Sequence, residues 1–143
     1  LKYTVDASVA AAWLIPGESF EDKAVKLRDD FVEGRVELYA PHLLVFELGN
    51  VLWKHARAGK MSAEQAVELA RVMLDILPNL VDLEEEDLKR AMEIATSEGV
   101  TFYDASYIAV AAKTKSTLVT ADRKLYDAAR KHAKALMIHE YQP

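Results

Sequence analysis

Five short runs rich in apolar and β-branched residues alternate with helix-length segments, and this alternation constrains the fold more than any other feature of the chain. The runs are Tyr3–Val5, Val36–Ala40, Leu80–Leu83, Ser116–Val119 and Ala135–His139. Each has the length and composition of a buried strand. Strands that alternate with helices imply an α/β fold with a mostly parallel central sheet. In such sheets ligands sit outside the carboxyl ends of the strands. The residues that follow each run therefore carry most of the functional information.

The intervening segments read as helices with recognisable ends. Ser8–Leu14 is a short Ala-rich helix stopped by Pro16-Gly17. Glu18 or Ser19 opens a helix to about Glu33, closed by Gly34. Pro41, at its favoured early position, opens a helix to about Ala58, with Gly59 beyond its end. Ser62 and Gln65 form a capping box for a helix reaching about Leu77. Glu84–Glu98 is a helix closed by Gly99, and Tyr103–Thr114 and Asp122–Lys131 complete the set. The chain has no repeat, low-complexity stretch or Gly/Pro-rich linker, so residues 1–143 are expected to form one domain. No apolar run approaches the roughly 20 residues that cross a bilayer, and no secretory leader is evident, so a cytoplasmic protein without membrane contact is expected. There is no cysteine, which excludes a disulfide framework and a thiolate zinc site.

The net charge is −5, from 18 basic and 23 acidic residues, which taken alone opposes nucleic-acid binding. The distribution changes that judgement. Between Lys113 and Lys134, seven basic residues face only Asp122 and Asp127. Lys54, Arg57 and Lys60 form a second basic cluster. These are either solvated helix faces or a basic rim around an acidic centre.

Four carboxylates lie where carboxylates need a reason. Asp6 follows the first strand and Asp122 follows Leu118-Val119-Thr120, which places both on the functional edge of the sheet. Each is also a good helix N-cap, and that role alone would account for either one. Glu47 lies in Leu43-Leu44-Val45-Phe46-Glu47-Leu48-Gly49-Asn50-Val51-Leu52. Three of its helical neighbours, Leu43, Leu44 and Val51, are apolar, so it is expected on the buried face. A lone carboxylate there is desolvated or protonated unless a cation meets it; the alternative is a Lys or Arg partner from elsewhere in the chain. Asp104 is the only charged residue in Thr101–Ala112, a segment apolar nearly all round, and sits where the helix dipole favours an anion. His42, His55, His132 and His139 are isolated and expected at the surface or in capping roles. Clustered carboxylates without nitrogen or sulfur donors select hard cations, Mg²⁺ or Mn²⁺. Their usual chemistry is displacement at phosphorus.

These residues and their order resemble the PIN-domain family, most closely the VapC-type toxins of toxin–antitoxin pairs. The features that carry the resemblance are Val5-Asp6-Ala7-Ser8, the apolar helix with Glu47 and Asn50, Thr101-Phe102-Tyr103-Asp104-Ala105, and Leu118-Val119-Thr120-Ala121-Asp122-Arg123-Lys124-Leu125. The resemblance implies a three-layer α/β/α sandwich and a Mg²⁺- or Mn²⁺-dependent endoribonuclease. It implies that Asp6, Glu47, Asp104 and Asp122 form an acidic quartet, with Ser8 and Thr120 as accessory hydroxyls and Asn50 behind them. It further implies a homodimer held inactive by an antitoxin whose tail enters the acidic groove. On this reading Asp6, Asp104 and Asp122 hold one metal ion, and Glu47 holds a second or positions water. Lys54, Arg57, Arg123 and Lys124 are candidates for contacts to the RNA backbone.

Other classes remain as alternatives. A phosphatase with Asp6 as nucleophile typically wants a second Asp two residues on, where this chain has Ser8. A receiver-like or degenerate PIN-like binding domain, and a housekeeping RNA-processing PIN nuclease, are the other readings.

Overall fold

A computed structural model of the chain describes residues 1–142. Five strands form a single sheet: β1 (Lys2–Val5), β2 (Glu37–Pro41), β3 (Asn79–Val81), β4 (Thr117–Thr120) and β5 (Ala135–Met137). Their spatial order is β3-β2-β1-β4-β5, and every neighbouring pair is parallel. The central strand β1 is buried from Tyr3 to Val5, with no polar-out alternation. That is the pattern of a parallel strand covered on both faces.

Seven α-helices accompany the sheet among the described residues: α1 (Ala7–Ala10), α2 (Glu21–Val32), α3 (Leu43–Arg57), α4 (Ala63–Asp75), α5 (Glu85–Glu98), α6 (Phe102–Thr114) and α7 (Arg123–Ala129), with α4 packed on α3 and α5 on α6. The result is the expected three-layer α/β/α sandwich. Helix α6 is buried from Ala105 to Ala111 and packs on β1, β2 and β4. Its nearly featureless apolarity in the sequence thus has a direct cause: it is the helix that fills the centre of one face. Helix α3 buries Leu44, Leu48 and Leu52, one stripe at helical spacing.

Most helix ends are where their capping chemistry puts them. Ser62 accepts from the Gln65 backbone N–H while Gln65 Oε1 accepts from the Ser62 N–H, so the capping box is complete. Ser62→Ala is expected to cost about 1 kcal/mol, read as a lower urea midpoint with an unchanged slope. Gly99 ends α5 at φ +67°, a left-handed conformation that glycine adopts without penalty.

Several boundaries differ from the sequence expectation by a few residues, and three of them have a clear local cause. Pro41 is the last residue of β2, opposite Val81, and α3 starts at Leu43. A proline at the end of a strand lacks one N–H donor but still packs, and Pro41 is buried in the sheet. Helix α2 begins at Glu21, because residues from Gly17 are turned back by bonds from the Glu21 N–H to Glu18 O and from the Gly17 N–H to the Glu21 carboxylate. Strand β5 ends at Met137, and Ile138–Glu140 forms a 3₁₀ turn that buries Ile138.

That turn delivers Tyr141 into the interior, where it is fully buried. Its ring meets Tyr3 edge-to-face at 5.5 Å, and its hydroxyl donates to Asp30 Oδ2 at 2.7 Å. Asp30, on α2, is also completely buried and pairs with Lys26 and Arg35. Burial acts to raise the Asp30 carboxyl, but the bonds from Lys26, Tyr141 and Arg35 outweigh it and hold it down at about 2.

Candidate active site

The chain runs outward from β1 through β2 to β3, then returns to the other side of β1 as β4 and β5. The order in which strands are added therefore reverses between β1 and β4, while the strands themselves stay parallel. Such a switch point opens a crevice beyond the carboxyl ends of its two strands. Asp6 is the first residue past β1, and Ala121 and Asp122 are the first past β4.

Asp6 is buried, with 5% of its surface exposed. Its carboxylate takes a hydrogen bond from Ser8 Oγ at 2.7 Å on Oδ1 and from Thr120 Oγ1 at 2.7 Å on Oδ2. The Val9 N–H also donates to Oδ1, so Asp6 caps α1. Burial nevertheless dominates these three bonds, and with a small contribution from Asp122 it pushes the carboxyl up to about 6. Ser8 and Thr120 link the two loops further: Ser8 Oγ accepts from the Ala121 N–H and Thr120 Oγ1 accepts from the Asp122 N–H, each at 3.0 Å.

Asp122 is exposed and caps α7 by accepting from the Lys124 N–H at 2.9 Å. Asp104 is half-buried in the first turn of α6, whose cap is Thr101. Burial raises its carboxyl, repulsion from Asp122 raises it further, and Lys124 offsets part of this. Glu47, half-buried on α3, is likewise raised by burial and then by repulsion from Asp104, against a lowering bond from Tyr107. The charges are thus coupled in series: Asp6 feels Asp122, Asp122 acts on Asp104, and Asp104 acts on Glu47. Four segments far apart in sequence bring their carboxylates to one end of the sheet, where Asp122 makes Asp6 and Asp104 harder to ionise and Asp104 does the same to Glu47. No three acidic or histidine side chains among the described residues close on a point in the manner of a preformed all-protein metal cage.

A groove leads away from this cluster. Ser8, Ala11, Val51, Ala121 and Asp122 line its near end. Two adjoining depressions extend it, one past Ile15, Pro16 and His55 and the next under Leu14, Met61 and Leu69, with Lys60, Gln65 and Glu68 on its rim.

The PIN-domain family model matches this chain over residues 3–131, which includes all four carboxylates. The chain belongs to the PIN-domain family. Among similar proteins, Ribonuclease VapC3 of Pyrobaculum aerophilum is 36% identical over 126 residues, covering 87% of this chain and 92% of the relative. Exonuclease VapC9 of the same organism is 38% identical over 97 residues, 68% of this chain and 71% of that one. The crystal structure of PAE2754 from Pyrobaculum aerophilum superimposes with a TM-score of 0.69 at 30% identity, covering 96% and 91% of the two chains. VapBC2 from Rickettsia felis, solved with a DNA fragment from the promoter, shares the fold at a TM-score of 0.70 and 13% identity, with 96% and 98% covered.

Within this PIN domain the other sequence candidates fall into two groups. Ser8 and Thr120 touch Asp6 directly. Asn50 is exposed and forms no side-chain hydrogen bond among the described residues. Lys54 and Arg57 are exposed on α3, with the Arg57 guanidinium over the Trp53 ring at 5.7 Å. Arg123 lies over the Tyr126 ring at 5.3 Å, and Lys124 acts on Asp104. The four histidines make only local or peripheral bonds: His42 to Asp82, His55 to Val51 O, His132 to Glu98 and His139 to Glu140. Glu47 departs from expectation in one respect. It flanks the buried Leu44–Leu48–Leu52 stripe, half exposed, and its partner is neither Lys nor Arg. The partner is Tyr107, which sequence reasoning passed over. A signal was present: a buried tyrosine hydroxyl needs an acceptor, and Tyr107 stands one helical turn after Asp104.

Proposed function

We propose that this PIN domain is a Mg²⁺- or Mn²⁺-dependent endoribonuclease and the toxin of a VapBC-type toxin–antitoxin pair acting in the cytoplasm. The observation that carries the metal is the serial repulsion among Asp6, Asp122, Asp104 and Glu47. Carboxylates arranged to oppose one another's ionisation gain most from a bound cation. An all-oxygen donor set suits a hard ion, and Mg²⁺ ordinarily keeps several waters rather than filling a complete protein cage.

Asp6, Asp104 and Asp122 would hold the ion, directly or through water, with Glu47 holding a second ion or a water. When bound, the metal supplies positive charge that polarises the scissile phosphate and the attacking water. Ser8 and Thr120 donate to the two oxygens of Asp6, one each, and so hold that carboxylate in one orientation. Lys54, Arg57, Arg123 and Lys124 are the basic residues that would meet RNA phosphates. Water adds at phosphorus, the bond to the 3′ oxygen breaks, and the products carry a 5′-phosphate and a 3′-hydroxyl.

The names of the VapC relatives support an RNA substrate. The groove running from Ser8 to Leu14, Met61 and Leu69 would receive the antitoxin segment, with an apolar contact at one end and the acids at the other. The exposed Phe46 and Tyr103, beside a shallow apolar depression under Leu43, Val81 and Leu83, form the face a homodimer would bury. A housekeeping RNA-processing role uses the same site and is separated by the gene next door: a small basic DNA-binding protein encoded there favours the toxin.

The test is cleavage of linear and circular RNA with Mg²⁺ or Mn²⁺. Circular RNA is included because one relative is named an exonuclease, and an exonuclease leaves a circle intact. EDTA is expected to stop cleavage, and Asp104→Asn to slow it about 100-fold, the scale of losing one electrostatic group at a reacting centre. Activity that survives both EDTA and the substitution sinks the proposal.

A further inference from the structure

Tyr107 is 2% exposed, on the face of α6 that meets the acid cluster. Its hydroxyl crosses from α6 to α3 and donates to Glu47 Oε1 at 2.6 Å, a short bond of the kind a phenol makes to a carboxylate. Among the described residues this is the only side-chain hydrogen bond to Glu47. The other carboxylates are held differently. Asp6 has two hydroxyls and a backbone N–H, and Asp122 has the Lys124 N–H. Glu47, on the longest and most flexible side chain of the four, projects from mid-helix where no backbone donor is free. Asp104 repels it. With nothing to hold it, the energetically easy response is a rotamer change that swings the carboxylate out to solvent.

We propose that Tyr107 is a positioning residue that holds Glu47 in the metal cluster against this repulsion and leaves Oε2 the less encumbered oxygen for a cation or water. The assignment rests on the metal-dependent reading above. An ordinary phenol is protonated throughout the neutral range, so the Tyr107 hydroxyl is a donor under any condition in which Glu47 accepts from it. It is therefore a permanent donor: neutral, unable to add to the negative charge, and unable to compete with a cation for Glu47 as a lysine would.

The experiment uses the full chain and four proteins: wild type, Tyr107→Phe, Glu47→Gln and the double variant. Mn²⁺ alone is the probe, followed by calorimetry, with RNA cleavage measured in parallel and thermal midpoints recorded for each. Tyr107→Phe is expected to weaken Mn²⁺ binding about 5-fold and lower kcat about 10-fold, with KM for RNA within about 2-fold of wild type, the scale of one charge-assisted hydrogen bond. In the Glu47→Gln background the same substitution is expected to change Mn²⁺ affinity by less than about 2-fold, because the carboxylate it holds is gone. A Tyr107 that merely fills space would lower the thermal midpoint and change affinity by the same factor in both backgrounds, and that result overturns the assignment. So does Tyr107→Phe binding Mn²⁺ as wild type does. If wild type binds Mn²⁺ but cleaves no RNA, the ribonuclease reading fails while the binding cycle still decides the role of Tyr107.

Discussion

Asp6→Asn is expected to abolish RNA cleavage, by about 1,000-fold or more, and to make the metal-free protein more stable. The two effects share one cause. Asp6 is buried at the switch point of the sheet, and its carboxyl is pushed up to about 6 from an ordinary 3.8, burial being the main reason. In the folded chain the proton is held more tightly than in the unfolded chain. Stability therefore falls as pH rises from about 4 through 6 and stays low above that, since the native state binds more protons across this window. A shift of about two units corresponds to about 3 kcal/mol. Asparagine presents the same shape without the charge. It can still accept from Ser8 and Val9, and Thr120 can turn to accept from it. Some of the gain is lost to poorer bonds, so the expected increase is about 1–2 kcal/mol at pH 7.5 in EDTA, shrinking to near zero at pH 4. Urea unfolding at the two pH values measures it. A less stable Asp6→Asn at pH 7.5, or a difference that does not change with pH, would show that the site carries no such strain. Added Mg²⁺ should stabilise wild type and leave the variant nearly unchanged, since ligand binding to the native state alone raises stability.

Asp30→Ala is expected to cost about 3 kcal/mol, with cleavage by the remaining folded protein unchanged. Asp30 touches none of the four site carboxylates; it joins α2 to the segment after β5. The Tyr141 hydroxyl, fully buried, would lose its acceptor, and Lys26 and Arg35 would lose theirs. Removing one partner from a buried pair is costly because the other groups stay behind uncompensated. Lys26 and Arg35 are about half exposed and reach water, which keeps the loss at the lower end of the range for buried pairs. The pH signature is opposite to that of Asp6. The Asp30 carboxyl is held at about 2, so its contribution is present above the unfolded value near 3.8 and is lost as pH falls toward 2. Wild type should therefore lose stability between pH 4 and 2 more steeply than Asp30→Ala. Acid titrations of the two proteins that run parallel would refute this account of the network.

Both substitutions involve a buried aspartate, yet the sequence distinguishes them poorly. Asp6 was legible because it ends a β-favouring run, and the strand-end rule for α/β sheets makes any such acid a candidate. Asp30 lies in Arg28-Asp29-Asp30-Phe31, where nothing marks it from its neighbour Asp29. Its burial depends on Tyr141, 111 residues away, and no local pattern encodes that distance. Tyr107 is intermediate. Its helix was plainly buried, so its hydroxyl had to find an acceptor, but the acceptor sits on another helix.

Local chemistry alone determined a good deal. Periodicity and capping residues placed all five strands and the principal helices within a few positions, because backbone hydrogen bonding and burial of one face act over a handful of residues. The same local signals marked Asp6, Glu47, Asp104 and Asp122 as carboxylates in unusual surroundings. Tertiary structure decided what those surroundings were. The strand order β3-β2-β1-β4-β5 sets β4 beside β1, and so brings Asp122 next to Asp6 across more than a hundred residues. Packing of α6 and α3 at that end then adds Asp104 and Glu47 to the same field. Electrostatic coupling depends on distance in space, and chain order becomes distance only once the sheet has formed.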